Sequence, residues 1–526
     1  MLGRISLVIY ALIWSAVLYR LFSVQSVFFW PWFSLVVLLL VAVRDVIQTR
    51  YNVLRMYPIV GHLRYIALEL RPMIRRYFVE SNLDGVPFNR ENREYVEALA
   101  NDQEDVLPFG TQLDVTKERF ETIKHSLSPC VITESESRHL VGGKDCSQPY
   151  LASRLNISAM SYGALGHTAI SALNQGARLA KCAHNTGEGG LSSYHLSGGG
   201  DLIFQFGTGL FGVRTSEGVF SPEKFQEVVA HPAVKMVEVK LSQGAKPGHG
   251  GLLPGHKVSK EISEIRGIPM GKDCLSPPTH NSFSTPIELL EFIQSLRELS
   301  GGMPVGFKLC LGLRKEFVSI VKAMLSTKIT PDFITIDGAE GGTGAAPMTY
   351  SNHVGTPIEE SLIFVHNSLV GVGLRDSMSL IASGKVITPF DMISKLALGA
   401  DMCNSARGMM FSLGCIQSLR CHLNSCPTGV ATTNKLRAGV LDVNAKAKQV
   451  AHYHNNFMKH VLELTGAAGI QHVDDLGPMH VQRRLQSGKI KTYQDIFTLL
   501  EPNQLIDGRA PEGYQAFWDK ANESEF

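Results

Sequence analysis

The sequence predicts an α/β protein built on a (β/α)8 barrel and preceded by a transmembrane helical hairpin. Eight short β-rich runs recur between residues 155 and 405, each closing on a glycine, a serine or another polar residue. Helical stretches separate them, the rhythm of a parallel sheet with crossover helices. Ahead of that rhythm lie two apolar runs, residues 5–19 and 27–43, each close to the roughly 20 residues that cross a bilayer as a helix.

Tyr19, Trp30 and Trp32 stand at the inner ends of these runs, where aromatic belts form. Arg4 precedes the first run, Arg44, Arg50 and Arg55 follow the second, and only Arg20 lies near the connection. The positive-inside rule therefore expects a multi-pass anchor in the cell inner membrane with the large remainder cytoplasmic. A cleaved signal peptide accounts for the first run alone, because the second is longer than a usual signal core and has no small-residue cleavage site. The expected division is a two-helix anchor over residues 1–48, a helical collar over 49–152, the barrel over 153–470 and an appendix over 471–526. Helices are expected at 50–69, 74–82 and 90–101 in the collar, and at 481–485 and 493–500 in the appendix.

At 526 residues the chain has room for a barrel with additions. Its net charge is only +2 and its basic residues are spread rather than massed, which argues against nucleic acid as a partner. Of nine cysteines, Cys130, Cys146, Cys182, Cys274, Cys310 and Cys403 stand alone, so the pattern fits a reducing compartment and not a disulfide framework.

The eight strands are expected at 155–161, 183–186, 202–206, 236–241, 305–309, 333–336, 379–382 and 402–405, with helical spacers at 169–181, 287–298, 315–326 and 389–398. A glycine-rich excursion over 244–278 interrupts the repeat after the fourth strand. Its prolines and apolar residues read as a packed active-site loop. A barrel builds its site at the carboxyl ends of its strands, and glycine clusters fall there: Asn185-Thr186-Gly187-Glu188-Gly189-Gly190, the run from Asp337 through Gly341, Gly342 and Thr343 to Gly344, and Ser383-Gly384-Lys385. Glycine lets backbone N–H groups approach an anion, so Ser383, Gly384 and the Ser405-Ala406-Arg407-Gly408 turn are candidate phosphate ligands. Lys240 and Lys308 lie on or just after apolar strands. Unless they reach the rim, such lysines need an anion, a carboxylate substrate or a cofactor ring beside them.

Cys415, Cys421 and Cys426 recur at C-x5-C-x4-C, and Pro427 follows the last. Thiolates at this spacing suit an iron–sulfur cluster, with a zinc site completed by His422, a disulfide and plain buried thiols as the alternatives.

The block from Cys421 to Thr432, Cys-His-Leu-Asn-Ser-Cys-Pro-Thr-Gly-Val-Ala-Thr, closely resembles the cluster loop of glutamate synthases, in which three cysteines hold a 3Fe-4S cluster. The resemblance to the FMN-binding synthase domain of that family extends, in order, through Ile157-Ser158-Ala159-Met160-Ser161-Tyr162-Gly163, residues 185–190, Gln243-Gly244-Ala245-Lys246-Pro247-Gly248, Leu253-Pro254-Gly255-His256-Lys257-Val258, Leu275-Ser276-Pro277-Pro278 and residues 341–347. It covers about residues 153–469. It implies an FMN barrel in which Met160, Ser161, Asn185, Thr186 and Gly187 line the flavin with Gly341, Gly342 and Thr343. Ser383, Gly384, Ala406 and Arg407 would take its phosphate, and Cys415, Cys421 and Cys426 would hold the cluster. Lys246 would face a 2-oxo acid, with His249, Lys240 and Lys308 as further catalytic candidates.

In that family reduced FMN delivers hydride to an imine made from 2-oxoglutarate and ammonia, forming glutamate. Electrons would enter through the cluster from a donor protein, a ferredoxin or a reductase subunit, since Gly198-Gly199-Gly200 lacks the strand–turn–helix context of a nicotinamide site. The chain begins Met1-Leu2 where the family has a processed cysteine and a glutaminase domain, so ammonia or another amine is expected from outside the chain. The substrate loop also departs from the family: His249 replaces an acid and Leu252 an amide, a change that can redirect selectivity. His249 reads either as a general acid or as a solvated loop residue. The alternatives are an amine ligase like N-methylglutamate synthase and a membrane-linked flavin/iron–sulfur electron-transfer protein.

Overall fold

Eight parallel strands close into a barrel in the order in which the chain makes them: β1 (Leu155–Ile157), β2 (His184–Asn185), β3 (Leu202–Phe206), β4 (Val234–Lys240), β5 (Val305–Leu309), β6 (Phe333–Asp337), β7 (Ser379–Ser383) and β8 (Met402–Ser405). The seam is β8 against β1, where Cys403 pairs with Leu155 and Ser405 with Ile157. All eight expected strands are present. Runs such as Leu-Ile-Phe-Gln-Phe in β3 are buried along their whole length, as strands covered on both faces must be.

The helices that pack around the strands are α1 (His167–Ala180), α2 (Pro222–Val229), α3 (Pro286–Leu299), α4 (Arg314–Thr327), α5 (Ile358–Val370), α6 (Pro389–Ala397), α7 (Arg407–Ser412) and α8 (Val443–Ala467). Local chemistry fixes where several of them start. Thr285 and Glu288 form a reciprocal cap with Pro286 in the first turn of α3, and Thr388, Asp391 and Pro389 do the same for α6. α8 lies along α1, where a side-chain carbon at Gly176 would come within 2.7 Å of Val450. At the amino-terminal end of the barrel, the antiparallel hairpin Arg138–Val141 with Tyr150–Ser153 supplies Val141 and Ala152, which pack on Ala183, Ile203, Met236, Phe333, Ile381 and Met402. This apolar plug leaves the carboxyl end of the barrel as the end open to chemistry.

The computed structural model describes residues 29–104 and 106–526. Contacts divide the chain into a small unit that ends at Arg90 and a large one, Glu91–Phe526, that contains the barrel. Two expectations are corrected. The helix foreseen at 481–485 is a strand, Val481–Arg484, antiparallel to Glu121–Ile123 and Ile490–Thr492. Val481 is buried while Arg483 pairs with Glu121 and, at 2.6 Å, with Glu359, so tertiary partners override the local helical pattern. The helix foreseen at 50–69 breaks into Asn52–Met56 and His62–Ile74, with Pro58 between them and Ile59 at a φ of 64°. The excursion over 244–278 has structure of its own: a hairpin of Leu252–Leu253 with Cys274–Leu275, a 3-10 turn at Gly255–Lys257 and a helix at Lys260–Arg266.

The first arm of the expected hairpin, residues 5–19, lies outside the described residues. The second forms a helix, Phe29–Ile47. Among the described residues no helix is long and apolar enough to cross a membrane. The last turn of Phe29–Ile47 includes Asp45, which is buried and accepts from the Ile59 N–H at 3.0 Å, with His62 at 2.9 Å.

Arg297, at the end of α3, lies 3.1 Å from Asp332, just before β6, and donates to Thr330 O at 2.6 Å. Asp332 also accepts from Val305 N at 2.8 Å and Gly143 N at 2.7 Å, so one carboxylate joins α3, β5 and the plug hairpin. Both side chains are buried. Arg297→Met should strand that carboxylate and cost about 3–5 kcal/mol of stability, read as a lowered urea midpoint.

Candidate active site

Strand β4 ends on Lys240 and β5 carries Lys308 beside it in register, so two ammonium groups lie side by side at the barrel mouth. Each has a carboxylate. Lys240 Nζ is 2.7 Å from Glu188 Oε1, in the glycine-rich turn after β2, and Lys308 Nζ is 3.4 Å from Asp337 Oδ1, the last residue of β6. Beneath them Glu238, buried inside the barrel, accepts from Asn185 Nδ2 at 2.8 Å, Gln205 Nε2 at 2.5 Å and Thr335 Oγ1 at 2.5 Å. These bonds lock the mouth from below.

The excursion closes over the mouth. Asp337 holds its start through Gly244 N at 2.8 Å, and Gly244 has no room for a side chain because its Cβ would fall on Gly338 O. Lys246 is only 2% exposed and donates to Ala345 O at 3.0 Å. Burial lowers its pKa to about 8, against the opposing pull of Glu188. For Glu188 burial favours the neutral acid, but the charge and hydrogen bond of Lys240, with Arg266 and Lys246 behind it, outweigh burial and hold the carboxyl below its ordinary value.

Ser161, Glu188, Lys246, Thr343 and Cys421, all from segments marked in the sequence, line one cavity together with Phe211, Leu252, Lys257, Arg266 and His422. Arg266 carries the clearest signal there. It is 5% exposed, donates through Nη2 to Tyr162 O at 3.0 Å and to Ser161 Oγ at 3.4 Å, lies over the Phe211 ring, and leaves Nε with no partner among the described residues. A buried guanidinium with an unused N–H is built to receive an anion. A larger cavity of about 760 Å3 opens at the opposite end of the barrel, but Arg375 and Asp401 there pair with each other at 2.8 Å, and it contains none of the marked groups.

The other candidates fall as follows. Met160 is buried, and Gly187, at a φ of 65°, presses so closely on the 160–161 backbone that a Cβ would lie 2.7 Å from Ser161 N. Asn185 serves Glu238, and Thr186 Oγ1 accepts from Gln205 N at 3.0 Å, so both brace the mouth. His249 does not line the cavity; its ring meets Tyr350 at 5.1 Å. The Arg407 guanidinium crosses over Gly342, the chain neighbour of Gly341, where any side chain would strike it, and Arg407 follows Ala406 at the start of α7. Ser383 is buried at the end of β7. Next to Gly384 stands Glu340, bonded to Ile358 N at 3.1 Å, whose carboxyl burial pushes up while Lys395 and Lys385 pull it down.

Cys415, Cys421 and Cys426 are free thiols on one loop. They lie near enough for Cys421 and Cys426 to act on Cys415, which burial raises to about 11. Arg407 pulls Cys415 and Cys421 back down. For Cys426 burial is outweighed by hydrogen bonds from Ala431, Thr428 and Val430, and its pKa is lowered. Among the described residues no three His, Cys, Asp or Glu side chains are gathered around one point that could hold a single metal ion. A cluster spreads its thiolates over separate irons, and three free thiols on one cation-flanked loop fit that donor set. Asn404, buried on β8 at the same end of the barrel, has an Oδ1 with no partner among the described residues, an orphan acceptor that fits a bound group.

The conserved region in glutamate synthase matches residues 102–471 of this chain. The chain belongs to the glutamate synthase family. The glutamate synthase large subunit-like protein YerD of Bacillus subtilis is 37% identical over 488 residues, covering 85% of this chain and 93% of that protein. The archaeal-type glutamate synthase (NADPH) of Thermotoga maritima is 35% identical over 320 residues, and the archaeal glutamate synthase (NADPH) of Methanocaldococcus jannaschii 35% over 321. Against each of these two, the alignment covers 61% of this chain and 60% of the relative. As a member of the glutamate synthase family, the chain is a glutamate synthase-like oxidoreductase, an enzyme acting on CH–NH2 donors.

Sequence reasoning passed over Glu188, which sits inside a marked glycine turn, and Asp337, the partner of Lys308. It had no handle on Arg266, which reads as an ordinary basic residue at a helix carboxyl end. Glu188→Gln should cost about 3 kcal/mol near neutral pH, because Lys240 keeps its burial and loses its counter-charge. Since the Glu188 pKa is depressed on folding, the wild-type advantage is present above the unfolded value and fades as the pH falls through the folded one. Urea midpoints of wild type and E188Q should therefore converge in acid.

Proposed function

We propose that this enzyme binds FMN at the barrel mouth and reductively aminates a 2-oxo acid, 2-oxoglutarate with ammonia giving glutamate. Electrons would enter through a 3Fe-4S cluster on Cys415, Cys421 and Cys426 from a ferredoxin or a reductase subunit. The observation that carries this reading is one cavity lined by Cys421 together with Lys246, Glu188 and Arg266. On this reading the electron entry and the anion site share that lining.

FMN would supply hydride to the imine carbon of the bound substrate. The chain's own residues do the rest. Arg266, through its unused Nε–H, takes the substrate carboxylate, and Lys246 adds a second positive charge. Lys308, beside Lys240, presents a cation to the flavin ring. Glu188 holds Lys240 in place. Phe211 and Leu252 shield the cavity, which strengthens each charge–charge contact inside. The apolar Leu252 at the wall specifically favours a second reading, in which a 2-oxo acid or amine other than 2-oxoglutarate and ammonia is used, as in an N-methylglutamate synthase-like ligase.

We also propose that the amino-terminal segment attaches the enzyme to the cell inner membrane. Leu35, Leu39, Leu40 and Ile47 are exposed on the helix Phe29–Ile47, an apolar surface that lipid would cover. Membrane fractionation of the full chain against one lacking residues 1–48 tests this, and a full chain recovered free of membrane refutes it.

The central test is anaerobic reoxidation of the reduced flavin by 2-oxoglutarate plus ammonium, with glutamate measured. Other 2-oxo acids and methylamine run alongside discriminate the second reading, and a flavin that no pair reoxidises points to electron transfer alone. If the reading holds, Arg266→Gln should raise the KM for the oxo acid roughly 30-fold or more, the scale of a lost buried charge contact. Wild-type KM should also rise as the pH passes through about 8, where Lys246 loses its proton, and Lys246→Met should abolish that inflection.

A further inference from the structure

We infer that Lys257 is a positioning residue that docks the three-cysteine loop onto the barrel mouth and supplies the counter-charge for the group those cysteines hold. The inference rests on the cluster reading of Cys415, Cys421 and Cys426. Lys257 ends the short 3-10 turn Gly255–Lys257 and is 2% exposed. Its ammonium donates to Ala164 O at 2.9 Å, in the loop after β1, and to Cys421 O at 3.3 Å. One side chain of the excursion thus ties the β1 loop to the thiol loop. The same turn grips that loop twice more, through His256 Nε2 and His422 O at 3.1 Å and through Asn424 Nδ2 and His256 O at 3.4 Å.

Among the described residues no acidic side chain lies within ion-pair distance of the Lys257 ammonium, which sits against the carbonyl oxygens of Ala164 and Cys421. An ammonium taken out of water against carbonyl oxygens alone is unfavourable unless an opposite charge stands near it. Three thiolates and inorganic sulfide around ferric and ferrous iron carry net negative charge, and Lys257 stands where that charge would be met. Arg407 faces Cys415 and Cys421 as well, so the loop has a cation from α7 and another from the excursion. Lys257 differs in lining the substrate cavity with Cys421, Lys246 and Arg266. A nearby positive charge favours the more negative, reduced state of a cluster, so removing it should lower the reduction potential.

The test compares purified full-length wild type with Lys257→Met, Lys257→Gln and Lys257→Arg. The readouts are EPR-monitored redox titration and amide hydrogen exchange over residues 160–166 and 415–432. The expected result is a midpoint shifted to lower potential and several-fold faster exchange in both segments for K257M and K257Q, with both restored towards wild type in K257R. Wild-type midpoint and exchange in K257M and K257Q would overturn the inference, and faster exchange with an unmoved midpoint would overturn its counter-charge half. Wild-type protein with no cluster signal would sink the cluster reading instead, while the exchange data still decide whether Lys257 docks the loop.

Discussion

Charge taken out of water governs the open end of this barrel. Lys240, Lys246, Lys308 and Arg266 are all buried there, and two carboxylates, Glu188 and Asp337, pair with two of them. Each pairing also braces chain: Glu188 fixes the turn after β2 against the end of β4, and Asp337 fixes the start of the excursion through Gly244 N. The surplus is positive and concentrated where Arg266 keeps an Nε–H with no partner among the described residues.

The barrel was legible because its strands are buried on both faces and so read as short apolar runs, while threonine-and-proline helix starts such as 285–286 and 388–389 punctuate them. The cysteine spacing was legible for a different reason: three soft ligands so close together have few packing explanations. Val481–Arg484 was misread because two arginines resemble an exposed helix until Glu121 and Glu359 appear opposite one of them. Arg266 and Lys257 were beyond reach because their importance lies in what they fail to find, a carboxylate, and that is a property of three-dimensional surroundings. His249 could be read from the sequence either as a general acid or as a solvated loop residue, and in the fold its ring meets Tyr350.

The excursion after β4 is the element that joins these observations. It brings Lys246 and Arg266 over the mouth and Lys257 to the thiol loop, and its own hairpin and helix make those placements rigid. A loop of that length without internal hydrogen bonds would spread the three cations over many positions. The short helix Lys260–Arg266, capped by Ser259, aims the guanidinium.

The seam between β8 and β1 has a consequence for biosynthesis. Leu155 and Cys403 are partners, so the first strand of the barrel has an open edge until the eighth has been made. At translation speeds of about 5–20 residues per second, that edge waits on the order of ten seconds or more. An unpaired parallel edge is a template for other chains. The plug hairpin, residues 138–153, is made before every barrel strand, so its Val141 and Ala152 are already present when the strands they pack against emerge.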